Sequence, residues 1–356
     1  MRESEQSRPS VVTTVAMTLG VVSLLIAAGS VGIALNDGGS GSKKVGSPQP
    51  GVTASTSPAP TVDHRIDFAA KPEDAFVARD PLAPASSGAT GTVHEISLTA
   101  EEVEIEIAPG VKQMMWTFGG QVPGPVIRGK IGDTFRITLT NAGELGHSVD
   151  FHASKVAWDD EMRTIAQGET LVYEFEAKHA GAFMYHCGTA PALHHIGMGM
   201  YGAIIIDPPD LEPVDREVVF VQSELYEAPV GEAASYDAMV ANQWDAVVFN
   251  GYVNQYRDRP IEAKVGERIR AWVLDHGPSE NSSFHVVGTI FDTVYKEGAW
   301  LLRRDDGSGG GSQALDLQAS QGGFVEFSFD EPGLYPMVTH KFSNVVKGAL
   351  GLYSVK

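Results

Sequence analysis

The feature that most restricts the fold is an internal repeat. PVIRGKIGDTFRITLTN at Pro125 has a counterpart, PIEAKVGERIRAWVLDH, at Pro260. HSVDFH at His147 is followed in the second copy by SSFHVVG at Ser282, and QGETLVYEF at Gln167 by GGFVEFSF at Gly322. AGAFMYHC at Ala180 is echoed by PGLYPMVTH at Pro332, and MGMYGAIII at Met198 by KGALGLYSV at Lys347. Self-similarity in a constant order means one structural unit made twice. Each unit reads as strands: EISLTAEEVEIEIA, FRITLTN, TLVYEFEA, AFMYHCG and YGAIIID, separated by Gly, Pro or Asn turns. Alternation of this kind marks half-buried strands, and many short ones suggest a sandwich or barrel. We therefore expect an all-β protein with two tandem β-domains, 91–208 and 215–356. DPPDLEP, at Asp207–Pro213, is the joint. One segment, about Glu232–Ala246, reads as a helix.

The N-terminal part has another character. Val11–Leu35 is a nearly unbroken apolar run without a charge, long enough to cross a bilayer. Arg2 and Arg8 precede it, which favours a cytoplasmic N-terminus, although Lys43 and Lys44 follow it. A cleaved signal peptide is the rival, but the run is long for one and no small-x-small site follows. We expect residues 1–36 to be a membrane anchor. Residues 37–90, rich in Gly, Ser and Pro, should form a disordered linker, with Arg65–Leu82 packing as an arm. The globular part then lies outside the cytoplasm, tethered to the cell membrane. Signal cleavage would instead release it into the periplasm or medium.

Charge and cysteine usage narrow the function. Lys and Arg number 26 against 45 Asp and Glu, a formal charge of −19. That argues against nucleic-acid binding, which needs basic patches, and favours a cationic partner. Cys187 is the one cysteine, so it cannot form an internal disulfide; a lone Cys flanked by His reads as a ligand or nucleophile. The loop Tyr185–Gly202, YHCGTAPALHHIGMGMYG, gathers His186, Cys187, His194, His195, Met198 and Met200. Thiolate, imidazole and thioether together select copper, and two His plus Cys with a weak axial Met is the blue-copper arrangement. The second copy has Thr339 and His340 where the first has His186 and Cys187, and Ala349 where the first has Met200. Only the first domain can hold such a copper.

At this point the chain resembles the two-domain copper-containing nitrite reductases, built from two cupredoxin domains. The resemblance covers about His94–Lys356. It rests on GQVPGPVIRGKIGD, HSVDFH, YHC with H-x4-M downstream, VFNGYVNQYRDRP, SSFHVVG and VTH, in that order. It implies cupredoxin-like Greek-key sandwiches and one type 1 and one type 2 copper per subunit. The type 1 copper would take His147, Cys187, His195 and Met200. The type 2 copper would take His152, His186 and His340, with Asp150 beside it and His285 across the pocket. Val287 would shape the substrate pocket. The family brings His340 from a neighbouring subunit, which implies a homotrimer. It also implies nitrite as substrate and a small cytochrome c or cupredoxin as electron donor. The loop is one residue shorter than in the best-known members, and its paired His194–His195 and paired Met198 and Met200 leave the type 1 ligands open.

Strand geometry points the same way. On a strand, residues 147, 149 and 151 face one side and 150 and 152 the other, so His147 and His152 suit two different metals. His186 and Cys187 likewise point apart, giving a short covalent link between two coppers. Three neutral imidazoles leave an open metal position, and Asp150 falls on the face of His152, where it can handle protons. His64, His94, His179 and His276 lie outside the motifs and should be surface residues. Two alternative functions stand beside nitrite reduction: a laccase-like two-domain oxidase reducing dioxygen, and a non-enzymatic anchored type 1 electron carrier. The first normally uses four His-x-His pairs, and this sequence has no His-x-His.

Overall fold

The computed structural model describes residues 65–86, 88–304 and 306–356. The apolar run at Val11–Leu35 lies outside them. Among the described residues no helix is long and apolar enough to cross a membrane.

The first half contains β1 (Val93–Ala108), β2 (Val111–Phe118), β3 (Ile127–Lys130), β4 (Thr134–Asn141), β5 (Asp150–Phe151), β6 (Thr170–Glu176), β7 (Gly181–His186), the short helix α1 (Ala192–Gly197) and β8 (Tyr201–Asp207). Its sheets run β2-β1-β4-β6 and β3-β8-β7-β5. The second half opens with β9 (Arg216–Leu225), α2 (Tyr236–Val240), β10 (Ala246–Phe249), α3 (Gln255–Asp258), β11 (Ile261–Ala263) and β12 (Ile269–Gly277). It continues with β13 (Ser282–Val286), β14 (Thr293–Lys296), β15 (Ala299–Leu302) and β16 (Leu315–Leu317). It closes with β17 (Gly322–Phe327), β18 (Gly333–Thr339), α4 (Phe342–Val345) and β19 (Leu350–Val355).

The sequence repeat is also a repeat of topology. The second half's sheets contain β10-β9-β12-β17 and β11-β19-β18-β13, the order of the first half strand for strand. Each equivalent pair has the same direction: β1–β4 and β9–β12 are parallel, as are β3–β8 and β11–β19. The second half adds β14 and β15 beyond β17, and β16 beyond β13.

Residue parity sends alternate side chains to different cores. Along β8 every residue is buried, as in a strand covered on both faces. Ile204 and Ile206 join the core of the first sandwich with Phe135, Phe151 and Tyr185. Tyr201, Ala203 and Ile205 join a shared apolar layer with Val219, Trp272 and Phe324 of the second half. β7 behaves alike: Tyr185 and Cys187 face the first core, Ala182 and Met184 the shared layer. The halves are therefore fused through this layer, and the described residues form one compact unit. Arg128 strengthens the junction. Its guanidinium donates to Asp207 at 2.9 Å, to Glu217 of β9 at 2.9 Å and to the Pro84 carbonyl at 3.0 Å.

One expectation needs adjustment. The helix expected over Glu232–Ala246 shrinks to Tyr236–Val240. Ser235 caps it, its hydroxyl accepting from the Ala238 amide, and Asn242 ends it at φ 54°. Ala246 already belongs to β10, because its neighbours are drawn into the buried sheet beside β9. Within residues 37–90, where Arg65–Leu82 was expected to pack as an arm, the chain packs on the body from Arg65 to Ser86. The Arg65 amide donates to Glu227, the Arg79 amide to Gln255, and Leu82 bridges Val218.

Candidate metal centres

The first cluster sits in the first sandwich. One donor atom each from His147, Cys187 and His195 lies within 4.8 Å of the others, and all three residues are buried. β7 delivers Cys187 to the core by parity. His147 is fixed by backbone exchange with Ile165, at 3.1 and 2.8 Å. His195 comes from α1. The Cys187 thiol is fully buried and accepts the Ser148 amide at 3.4 Å. His147 donates from Nε2 to Glu102 Oε1 at 2.9 Å, and its buried Nδ1 has no partner. Buried polar atoms are rarely left so; a bare nitrogen facing a thiol and a second imidazole fits a soft metal.

The loop's doubled residues separate. His194 turns away from the cluster, with Nε2 2.9 Å from the Ala234 carbonyl. The Met198 thioether accepts the Ala234 amide at 3.2 Å. Met200, fully buried, lies in the core of Cys187, and the Cys187 amide bonds its carbonyl. Trp116 covers the cluster. Its ring centroid lies 4.8 Å from that of His195, 4.9 Å from His194 and 6.3 Å from His147.

The second cluster occupies the opposite face of the same sheet. Asp150 pairs with His186 across β5–β7, so their side chains share a face. His152 Nε2 and His186 Nε2 lie 3.0 Å apart, with Asp150 Oδ2 3.9 Å from each. His186 donates Nδ1 to the Cys187 carbonyl at 3.0 Å, leaving Nε2 as the unprotonated nitrogen turned toward His152. Two convergent imidazole nitrogens beside a carboxylate fit a bound metal ion. Burial, then the nearby His186, lowers the His152 pKa against the pull of Asp150. Burial also lowers His147 and His195. Neutral imidazole is the form that ligates.

A multicopper oxidase family model matches residues 99–211. The copper-containing nitrite reductase of Neisseria gonorrhoeae is 37% identical over 272 residues, covering 73% of this chain and 68% of that protein. The copper nitrite reductase structure from Nitrosomonas europaea aligns with TM-score 0.68 at 35% identity, over 74% of this chain and 94% of that one. A copper-containing nitrite reductase from Thermus scotoductus aligns with the same TM-score at 29% identity, over 74% of this chain and 62% of that one. The chain belongs to the copper-containing nitrite reductases. It is an oxidoreductase, and the family it belongs to binds copper.

The reductase does not assemble every expected residue at one place. His285 on β13 and His340 beyond β18 are neighbours, ring centroids 5.0 Å apart. Val287 follows β13 and is exposed. None of the three belongs to the Asp150–His152–His186 group. His340 is exposed, and its amide is anchored to the Ser283 carbonyl at 2.7 Å. Burial, then His340, lowers the His285 pKa against its bond to the Gln313 carbonyl.

Two histidines expected at the surface are not there. His94 is half-buried and bonds Asp133 at 2.9 Å. His276 is 1% exposed, with both ring nitrogens unpartnered. Its ring stacks on Tyr201 at 3.9 Å, and Tyr201 is the strand partner of His186. Burial, then the neighbouring His186 and His152, pushes its pKa well below 6.5. The unfolded chain thus binds a proton here that the folded one refuses. This contribution to stability is complete above about pH 6.5 and is lost as the pH falls, with a limiting slope of about 1.4 kcal/mol per pH unit. His276→Asn should flatten the acid limb of a urea-midpoint profile by up to that slope; an unchanged limb contradicts the assignment.

Glu102, Trp116 and His276 were missed from the sequence. Glu102 had a readable signal. Ile96, Leu98 and Ala100 of β1 face the first core, and the next residue of that parity is a carboxylate.

Proposed function

We propose that the protein reduces nitrite to nitric oxide and water, consuming one electron and two protons. The observation that carries this reading is the placement of two metal-binding clusters on opposite faces of β7, joined by the single peptide link His186–Cys187. Copper held at both clusters would supply the redox chemistry, taking one electron at the Cys187 side and offering an open position to nitrite at the His186 side. His147, Cys187, His195 and Met200 form the type 1 set; Met200 is preferred because the Met198 sulfur is already engaged. His152 and His186 supply two ligands of the type 2 set, and His340 the third. Asp150, 3.9 Å from both imidazoles, is placed to orient nitrite and pass a proton to its leaving oxygen. His285, beside His340, is the second proton-handling group, and Val287 limits the space next to it.

His340 and His285 stand apart from the first-half cluster within one chain. We infer that they reach the site of a neighbouring copy, in a homotrimer. The electron donor is a small cytochrome c or cupredoxin, matched to the acidic surface. The N-terminal run anchors the subunit, with the globular part on the extracytoplasmic side.

The test is nitric oxide release from nitrite with a chemical reductant, together with electron paramagnetic resonance. Wild type should show one type 1 and one type 2 signal per chain. His340→Ala should lose turnover at least about 100-fold, the upper range seen for disturbed metal sites, while keeping its blue colour. Absence of a type 2 signal in wild type overturns the reading. So does dioxygen reduction to water faster than nitrite reduction, which makes the protein an oxidase.

A further inference from the structure

The first cluster has a built second layer that the reaction scheme leaves unassigned. Glu102 projects from β1 on the core-facing side, directly opposite Trp116 of β2. Its side chain is 17% exposed, and its partner His147 is fully buried. One carboxylate oxygen accepts His147 Nε2 at 2.9 Å and the Leu145 amide at 3.2 Å; the other accepts the Glu144 amide at 2.8 Å. The 143–147 segment is therefore tied to β1 through this carboxylate. Gly143 packs so close that a Cβ there would collide with the Glu102 oxygens.

Two consequences follow from elementary chemistry. A neutral imidazole carries one proton. With Nε2–H committed to Glu102, the lone pair sits on Nδ1, the buried nitrogen left without a partner. A carboxylate behind a ligating imidazole also makes that imidazole more basic and fixes its ring plane. Its negative charge, partly screened from water, favours the more positive state of a redox metal.

We propose that Glu102 is a positioning residue for copper at the Cys187 cluster: it selects the Nδ1-ligating tautomer of His147 and lowers the reduction potential of the metal held there. This rests on the copper assignment above, and the experiment separates the two. Wild type, Glu102→Gln, Glu102→Ala and the control Glu104→Gln are purified as full chains and loaded with copper. Copper content, visible spectrum and type 1 reduction potential are then recorded. Glu104 sits two residues along the same strand, its side chain 55% exposed, so the control removes an equal charge without touching His147.

A wild type without a type 1 signal would overturn the copper assignment itself. Given that signal, Glu102→Gln should keep the colour and copper content, because an acceptor oxygen survives, yet shift the potential upward. Glu102→Ala should shift it upward as well and release type 1 copper to a chelator about 10-fold more readily. Glu104→Gln should match wild type. A potential in Glu102→Gln equal to that of wild type overturns the proposal, as does an equal rise in Glu104→Gln, which would reduce the effect to net charge.

Discussion

Cys187→Ala is expected to bleach the protein and to cut donor-driven nitrite turnover by at least about 100-fold, beyond what loss of an outer-shell partner costs a metal site. The size of the effect follows from position. Cys187 supplies the one sulfur anion available to the first cluster, and a blue-copper site depends on its thiolate. The type 2 signal should survive. His152 and His186 lie on the opposite face of the sheet, and the bond from His186 Nδ1 runs to the Cys187 carbonyl, not to its sulfur. The fold should survive too. Removing one buried sulfur from the core of Tyr185, Met198 and Met200 leaves a small void, worth about 1 kcal/mol. A chemical reductant able to reach the second cluster directly should still drive slow turnover. Undiminished turnover with a protein donor would sink the relay through His186–Cys187.

Strand parity explains why so much of this site was legible. His147 and His152 flank the two-residue strand β5 and are five residues apart, an odd spacing that the strand period sends to opposite faces. His186 and Cys187 are adjacent and do the same. Both statements need only the period of a strand, and burial in the structure follows them: His147 and Cys187 are fully buried, while His152 is exposed and His186 half-buried. The duplicated topology was legible for a similar reason, since the hydrophobic pattern recurs in the same order along the chain.

What was not legible depends on contacts between elements far apart in sequence. His276 lies one residue before the end of β12, ahead of Gly277–Pro278, which reads as a surface turn. It is buried because the shared apolar layer lays β12 across Tyr201 of β8. The helix expected after Glu232 had favourable composition, but Asn242 and the pull of β10 toward β9 end it after one turn and a half. The H-x4-M spacing of the resemblance favoured His195 over His194, and the structure adds that Ala234 engages the other two residues, its carbonyl lying 2.9 Å from His194 Nε2 and its amide donating to the Met198 sulfur. His340 was placed by resemblance alone; no pattern within one chain says which cluster it completes.

That last residue yields the second large effect, which comes from mixing two inactive chains. His152→Ala damages only the first-half cluster, and His340→Ala only the second-half pair. If each site joins the first half of one chain to the second half of the next, neither variant alone should turn over nitrite. Co-expressed in equal amounts, they should recover about a quarter of wild-type activity, because one junction in four then pairs an intact His152 with an intact His340. The fraction does not depend on the number of subunits in the ring, so mass measurement in detergent is needed to test for a trimer. The type 2 signal should return in the same proportion as the activity. A site completed within one chain predicts no recovery at any mixing ratio, because every chain then carries a broken site. Recovery well above a quarter would mean that one of the two histidines is dispensable. Either result would change how the pair at His152 and His186, whose Nε2 atoms lie 3.0 Å apart, is completed: by a residue of its own chain in the first case, and without one of the two histidines in the second.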